Sequence, residues 1–227
     1  TPAQARSASD ALGYPAIVKA PDSSGSRGVI RVDTPEQVGH AFGLAQAVSR
    51  GDSILVEECV VGTEFGAQTF SVGGRCVAVH LHDDEVSAPP HMVPISHTYP
   101  SSLPDCAVHR AERVISSAVE ALGISDGPAN VDAILGPDGD VWILEIGARI
   151  GATCLPELTT LHTGTDWVLA AISAALGEAA ALGSHAGMPV SAFILEAPED
   201  GTLTGWSVPP RILQDERLID WEVTARR

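Results

Sequence analysis

The chain has 227 residues, of which 44% are hydrophobic and 19% are charged, and these values are typical of a folded protein with one or two domains. The formal net charge of -16 argues against nucleic acid or an anionic membrane as a partner, because both surfaces need clustered lysine and arginine. The N-terminal sequence has no signal-peptide pattern and no apolar run approaches a membrane span, so we expect a cytoplasmic protein.

The N-terminal part predicts short strands around a polar loop. Apolar runs predict strands at residues 16–20 and 28–32, with the small residues of the loop between them. Thr34-Pro-Glu-Gln37 has the composition of a helix start, and the helix is expected to continue to about Ser49. A buried strand is expected over residues 53–58.

The rest of the chain predicts antiparallel strands and few helices. A hairpin is expected over residues 64–72 and 75–82, because Gly73-Gly74 suits a two-residue turn. Residues 83–106 are rich in Pro, Ser and Asp and predict a long loop, which is more often functional than accidental. The remaining predicted elements are a helix over 107–122, a hairpin over 130–135 and 141–146, helices over 156–163 and 165–176, and a strand over 190–195. This pattern indicates an α+β fold.

Two N-terminal segments have side chains suited to a nucleotide. Lys19 is the only lysine among thirteen basic residues, and it precedes Ser23-Ser-Gly-Ser-Arg-Gly28, whose amides and hydroxyls could bind phosphate oxygens. The order differs from a P-loop, in which the lysine follows the glycines, and a solvated turn is the alternative. Glu57 and Glu58 end an apolar strand and could accept from a purine amino group, and Glu64 could hold ribose hydroxyls. A charged strand end is the alternative here.

The hairpin over residues 130–146 brings two carboxylates together. If Asp138-Gly139 centres its turn, position 136 faces Val141 and Asp132 faces Glu145, with Cβ atoms about 4.5–5.5 Å apart. Like charges at this spacing repel unless a proton or a cation lies between them. Oxygen ligands alone favour Mg²⁺, which takes one or two carboxylates together with phosphates and water.

The same register assigns the two faces of this hairpin. It predicts Ile134 and Ile143 beside the carboxylates. It predicts on the other face Val131, Ala133, Leu135, Trp142, Leu144 and Ile146. A carboxylate paired with Arg149 is the alternative to a metal.

Cysteines and histidines were considered as zinc ligands. The four cysteines are far apart and include no C-x-x-C pair, which argues against a zinc ribbon and against a disulfide framework. His80 and His82 share a strand face and could chelate zinc with His91 or His97, next to acidic residues 83–85. The helical H-E-x-x-H arrangement is missing, so we favour polar surface or substrate contacts for these histidines.

Three segments, in this order, resemble the ATP-grasp superfamily: GYPAIVKAPDSSGSRGV, LVEECVVGTEF and NVDAILGPDGDVWILEIGARIG. The similarity is greatest to carboxylate–amine ligases such as the L-amino acid ligases. It implies an ATP-grasp fold in which two α+β subdomains, residues 1–58 and 59–227, hold ATP between mostly antiparallel sheets. It also implies ATP and Mg²⁺ or Mn²⁺ as cofactors and a small-molecule carboxylate and amine as substrates. A homodimer is left open.

The resemblance also implies the roles of individual residues. The implied nucleotide-binding residues are Lys19 at the phosphates, Ser23, Ser24, Gly25, Ser26 and Gly28 in a flap, Glu57, Glu58, Cys59 and Val60 at the adenine, Glu64 at the ribose and Leu144 on the purine. The implied metal ligands are Asp132 and Glu145. Lys19 and Arg149 are the implied catalytic residues, and the implied substrate-side residues are His97, Arg149 and Gly151.

The implied reaction transfers a phosphoryl group from ATP to a carboxylate, and an amine then displaces phosphate from the acyl phosphate. A carboxylase or carbamoyl-phosphate type of enzyme that uses bicarbonate, and a non-catalytic ATP-binding module, are the alternatives. Gly147 departs from the family pattern, which commonly has asparagine two residues after the second metal carboxylate. The chain also begins where the ATP-grasp portion of the family begins, so we expect it to lack the preceding domain and to have a truncated C-terminal extension.

Overall fold

The computed structural model describes residues 1–87, 94–183, 187–195, 201–202 and 204–222. Residues 1–194 form one compact unit, and residues 195–227 form a second. Helices and two antiparallel sheets make up the first unit, which confirms the predicted α+β class.

The first sheet is formed by the N-terminal part of the chain. Its strands are β1 (Ala16–Lys19), β2 (Val29–Val32) and β3 (Leu55–Glu58), in the order β2–β1–β3, and its helices are α1 (Pro2–Leu12) and α2 (Val38–Val48). Ala16 and Val18 of β1 are fully buried in a core with residues of both helices. Because alternate side chains of a strand share a face, Ile17 and Lys19 point to the opposite face of the sheet.

The helix α1 is not among the predicted elements. Its N-terminus has a clear signal, because Thr1 accepts a hydrogen bond from the backbone N–H of Gln4 and the two side chains form a capping box, with Pro2 in the first turn. All the helices and strands that the sequence predicts are present, with ends that differ by a few residues.

The second sheet has six strands. They are β4 (Thr63–Val72), β5 (Arg75–Val86), β6 (Pro94–Tyr99), β7 (Gly127–Leu135), β8 (Val141–Gly147) and β9 (Val190–Phe193), in the order β8–β7–β4–β5–β6–β9. One face packs against α3 (Asp105–Ala121) through small and branched apolar side chains. On the other face, α4 (Leu155–Thr163) contacts Tyr99 and α5 (Trp167–Ala175) contacts Phe70. The predicted subdomain boundary after residue 58 falls between the two sheets and stays a prediction.

The predicted loop over residues 83–106 is wrong in its described part. β5 continues to Val86, and β6 occupies residues 94–99, while residues 88–93 lie outside the described residues. Acidic residues are tolerated inside β5 because they have partners. Asp83 accepts hydrogen bonds from the Ser101 hydroxyl at 2.7 Å and from the Ser102 backbone N–H at 2.9 Å. The acidic composition is therefore the reason that the end of β5 was not predicted as a strand.

The hairpin β7–β8 has the predicted register at Asp132 and Glu145 but not between that pair and the turn. Leu135 faces Val141, whereas position 136 was predicted there, and the backbone N–H of Gly136 donates to the carbonyl of Asp140 at 2.8 Å. A β-bulge between Asp132 and Ala133 shifts the register by one residue. The bulge also moves Ile143, which was predicted beside the carboxylates, into the apolar core against α3.

The second unit is small. Within its described residues, α6 (Pro210–Leu213) is the helix, and the rings of Trp206 and Trp221 lie edge to face with centroids 4.9 Å apart. Of the helices in the described ranges, none has the length and apolar character that crossing a membrane requires.

We expect Gly28→Ala to lower the free energy of unfolding more than Gly25→Ala. Both glycines have positive φ, 74° and 65°, so both variants should lose about 1–2 kcal/mol from backbone strain. Only at Gly28 would the added Cβ overlap the Val48 side chain and approach Cα of Ala45 to 3.3 Å, which adds about 1–3 kcal/mol. Urea unfolding of both variants measures the difference, and equal losses would contradict close packing of this loop on α2.

Candidate functional site

One face of the second sheet has a row of polar positions across its central strands. The row runs across adjacent strands in the order Glu145, Asp132, Gly66 and His82. Beside it, two residues further along the strands, lie Glu64, Asp84 and His97. Because side chains alternate along each strand, both rows lie opposite the face that packs on α3. The sheet thereby concentrates carboxylates and imidazoles in one place.

The predicted facing of Asp132 and Glu145 is confirmed by the strand register. Burial raises the pKa of Asp132, and the nearby carboxylates of Asp84 and Glu145 raise it further. Among the described residues, neither member of the pair has a lysine or arginine partner, so the alternative pairing with Arg149 is not formed. A facing carboxylate pair without a basic partner is suited to a divalent cation.

A chain of hydrogen bonds connects Asp132 to the segment that follows β8. The backbone N–H of Gly151 donates to Gln68 Oε1 at 3.0 Å, and Gln68 Nε2 donates to Asn130 Oδ1 at 2.6 Å. Asn130 Nδ2 then donates to Asp132 at 3.1 Å. Gln68 and Asn130 were not among the predicted site residues. The sequence signals for them were the position of Asn130 two residues before Asp132 on one strand, and a glutamine within a predicted strand, which the structure buries fully.

Glu64 extends the carboxylate cluster on this face. Burial raises the pKa of Glu64, and Asp84 and Asp132 raise it further by repulsion. The predicted ribose contact is therefore a carboxylate in a strongly negative environment, next to the predicted metal ligand Asp132.

His82 and His97 share the carboxylate of Asp84. Nδ1 of His82 lies 2.8 Å from Asp84 Oδ1, and Nδ1 of His97 contacts the same oxygen. Burial alone would raise the pKa of Asp84, but the hydrogen bonds with the two histidines outweigh it and lower that pKa. Gly66 is required here, because a Cβ at this position would overlap the His82 ring and the Asp84 carboxylate. The close approach of β4 and β5 side chains depends on this glycine.

His80, which was predicted as a possible zinc ligand with His82, lies elsewhere. Its ring packs edge to face on Trp167, with centroids 5.7 Å apart, and burial lowers its pKa to about 4. His80 is therefore a half-buried residue that is neutral at neutral pH. His91 lies outside the described residues.

Lys19 forms an ion pair with Glu57 on the face of the first sheet opposite its core. Lys19 Nζ lies 2.7 Å from Glu57 Oε2, and the lysine side chain is 20% exposed. Two residues predicted to contact different parts of ATP thus contact each other. A nucleotide that binds both must share or replace this ion pair.

The loop after β1 has the backbone of a tight, irregular turn. Gly25, Ser26 and Gly28 all have positive φ, and Arg27 Nε donates to the carbonyl of Ser24 at 3.1 Å. The loop base is held by Asp22, which accepts hydrogen bonds from residues at the end of α2. A cavity of about 250 Å³ beside the loop is lined by Asp22, Ser23, Ser24, Arg27, Val48 and Arg50. This cavity does not include Lys19 or the carboxylate pair.

The residues predicted at the adenine edge occupy the connection from β3 to β4. Glu58 ends β3, Cys59 donates its backbone N–H to Pro15 at 3.4 Å, and Val60 is partly exposed. Cys59 is a free thiol. Leu144, predicted on the purine, is 41% exposed because it falls at the bulge between the core residues Ile143 and Ile146.

Arg149 lies over Gly147, the position at which the family commonly has asparagine. Arg149 Nη1 donates to the carbonyl of Ile150 at 2.8 Å. A Cβ at position 147 would lie 3.6 Å from three atoms of the Arg149 side chain, which is ordinary contact distance. The guanidinium is otherwise exposed and has no carboxylate partner among the described residues. It is therefore available for an anionic ligand.

Proteins of similar sequence include ligases and a synthase. The D-alanine–D-alanine ligase of Bordetella petrii is 30% identical over 161 residues, covering 66% of this chain and 48% of the ligase. Carnosine synthase 1 of Gallus gallus is 30% identical over 182 residues, covering 75% of this chain and 20% of that protein. The solved L-amino acid ligase from Bacillus licheniformis is 27% identical with a TM-score of 0.61, covering 71% of this chain and 39% of that one.

The chain spans less than half the length of each of these relatives. The ATP-grasp domain family matches residues 12–157, a range that contains the polar loop, both sheets up to β8, and the facing carboxylates. With well over half of its length matched, this chain belongs to the ATP-grasp family.

Proposed function

We propose that this chain is the nucleotide-binding part of an ATP-dependent ligase that joins a carboxylate, of the amino acid class, to an amine through an acyl phosphate. The observation that carries the proposal is the facing Asp132–Glu145 pair in a chain of the ATP-grasp family. Two relatives are named for ligation of alanine and of L-amino acids, which supports an amino acid as the substrate.

Asp132 and Glu145 fit a magnesium or manganese ion. A cation would relieve the repulsion between Asp132 and its neighbouring carboxylates, and the hydrogen bond from Asn130 fixes the orientation of the Asp132 carboxylate. The ion supplies charge neutralisation for ATP phosphates when bound. Glu145 is exposed, so the pair is accessible to a nucleotide.

Lys19 and the loop of residues 23–28 bind the phosphates in this proposal. The ammonium of Lys19 offsets charge on the transferring phosphoryl group, and the hydroxyls and amides of Ser23, Ser24, Gly25, Ser26 and Gly28 close over it. Closure excludes water, which would hydrolyse an acyl phosphate. Glu57, freed from Lys19, accepts from the adenine amino group.

The remaining nucleotide contacts are proposed from the position of each residue. The backbone of Glu58, Cys59 and Val60 follows β3 and lines the adenine edge, and the exposed side chain of Leu144 packs on the purine. Glu64, whose raised pKa reflects its buried and negative surroundings, accepts from the ribose hydroxyls.

The carboxylate substrate is proposed to bind at Arg149. The guanidinium forms bidentate hydrogen bonds to a carboxylate or to the oxyanion that forms when the amine attacks. Gly151 lies two residues away, and its N–H is connected through Gln68 and Asn130 to Asp132. His97 is proposed to lie on the substrate side of the same sheet face. No side-chain nucleophile is needed for this reaction.

Phosphate release by the full-length protein tests the proposal. With ATP, Mg²⁺ and a panel of amino acids given singly and in pairs, we expect release that requires an amino acid and rises with the correct amine. Lys19→Ala should lower the rate by about 10²-fold or more, because it removes a charge that acts on the transferring group. Arg6→Ala, which alters an exposed ion pair on α1, is the control and should not change it.

Two outcomes of this experiment contradict the proposal. Phosphate release that needs only bicarbonate indicates the carboxylase or carbamoyl-phosphate type of reaction. Binding of ATP without release, with every acid of the panel, indicates a non-catalytic module.

We expect Gly147→Asn to yield a folded protein with tighter magnesium binding. A Cβ at position 147 would meet Arg149 at ordinary contact distance, 3.6 Å, and the amide oxygen would add a ligand beside Glu145. The affinity for Mg²⁺ in the presence of a non-hydrolysable ATP analogue should rise by about tenfold. Gly147→Ala adds the Cβ without the oxygen and is the control. Equal Mg²⁺ affinity in Gly147→Asn and Gly147→Ala would show that the lack of an amide oxygen at position 147 does not limit magnesium binding.

A further inference from the structure

Two histidines and an aspartate on the polar face of the second sheet bring possible ligand atoms close together. His82 and Asp84 are two residues apart on β5 and share a face, and His97 of β6 faces Asp84. One nitrogen of each ring and a carboxylate oxygen of Asp84 lie within 4.8 Å of one another. Nδ1 of both rings contacts the same oxygen, Oδ1 of Asp84.

The hydrogen bonding of this cluster is incomplete. Nε2 of His82 and Nε2 of His97 are buried and have no partner among the described residues. His82 is 1% exposed and His97 is 3% exposed, so solvent does not replace these partners. A buried polar group without a partner costs about 1–3 kcal/mol. A purely structural role does not account for this cost at two histidines of one cluster.

The charge around the cluster favours a cation as that ligand. Asp84 lies near Glu64 and Asp132 on the same face of neighbouring strands. In the described ranges of the chain, none of the three carboxylates has a lysine or arginine partner. A divalent cation at the histidines would reduce the repulsion among them.

We propose that His82, Asp84 and His97 form a binding site for a transition-metal cation of the Zn²⁺ type, separate from the magnesium site at Asp132 and Glu145. The two sites differ in ligand chemistry. Imidazole nitrogens suit Zn²⁺ and related ions, whereas the oxygen-only pair suits Mg²⁺. Two histidines and one carboxylate are a ligand set of catalytic zinc sites, which keep a fourth tetrahedral position for water or substrate.

One ligand of the site is partly exposed, and the site has a consequence for substrate binding. The side chain of Asp84 is 11% exposed and is the most accessible of the three ligands. In this proposal His97 acts on the substrate through the cation, whose open coordination position can bind a substrate oxygen. The metal site stands on its own geometry and does not require the ligase reaction.

Titration with Co²⁺ tests this site in the full-length protein after treatment with EDTA. Tetrahedral Co²⁺ absorbs visible light far more strongly than octahedral Co²⁺, so the spectrum separates this site from a magnesium-type site. We expect one equivalent of tetrahedral Co²⁺ per chain, displaced by Zn²⁺. His82→Gln and His97→Gln should each weaken Co²⁺ binding by about tenfold or more, because even the loss of an outer hydrogen-bond partner has this effect.

His109→Gln is the matched control. His109 also lies beside a carboxylate, with Nδ1 3.4 Å from Glu112 Oε2, but on the exposed surface of α3. The tetrahedral spectrum should be unchanged in His109→Gln and in Glu145→Gln. Circular dichroism checks that each variant is folded, and Asp84→Asn replaces any histidine variant that is not.

Two results would overturn the proposal. One is a tetrahedral spectrum that persists in the folded His82→Gln and His97→Gln variants. The other is a folded parent protein that binds no Co²⁺ or Zn²⁺ tightly, in which case the histidines share protons with Asp84. Magnesium-dependent nucleotide binding, measured on the same samples, keeps a failure of the zinc-type site distinct from a failure of the proposed ATP site.

Discussion

Electrostatic repulsion among carboxylates on one face of the second sheet is the interaction around which the site is organised. Two unit charges 4 Å apart repel by about 4 kcal/mol in surroundings of intermediate polarity. Glu64, Asp84, Asp132 and Glu145 lie on this face, and burial together with repulsion from neighbouring carboxylates raises the pKa of Glu64 and of Asp132. Hydrogen bonds offset part of it, since two histidines contact Asp84 and Asn130 donates to Asp132. The remainder favours bound cations.

The carboxylates can lie this close together because the two faces of the sheet differ. Apolar residues of β4, β5 and β7 pack against α3, and that packing fixes the strands and therefore the opposite face. Gly66 leaves space for the His82 ring between strands, and the bulge in β7–β8 sets Asp132 opposite Glu145. The network through Gln68 connects this pair to the segment after β8, so the positions of the proposed metal ligands and of the proposed substrate residues are coupled.

Much of the fold and part of the site follow from sequence pattern. Alternation and turn residues predict both hairpins, and the facing of Asp132 and Glu145 is correct although position 136 does not face Val141. The loop of five residues shifts the pairing by one residue, and the bulge shifts it back, so that Asp132 still faces Glu145. Neither the loop length nor the bulge has a local sequence signal strong enough to predict it. β6 and the end of β5 were missed because their acidic and polar residues are stabilised by partners distant in sequence, such as Ser101 for Asp83. The convergence of His82 with His97 likewise depends on strand pairing, which periodicity alone does not reveal.

The central claim is that Asp132 and Glu145 hold a divalent cation with the nucleotide. Calorimetric titration of a non-hydrolysable ATP analogue, with and without Mg²⁺, tests it in the parent protein and in Glu145→Gln. The account predicts that Mg²⁺ tightens binding by about tenfold or more in the parent protein and that most of this gain is lost in the variant. Equal affinities with and without Mg²⁺ in the parent protein would contradict the account.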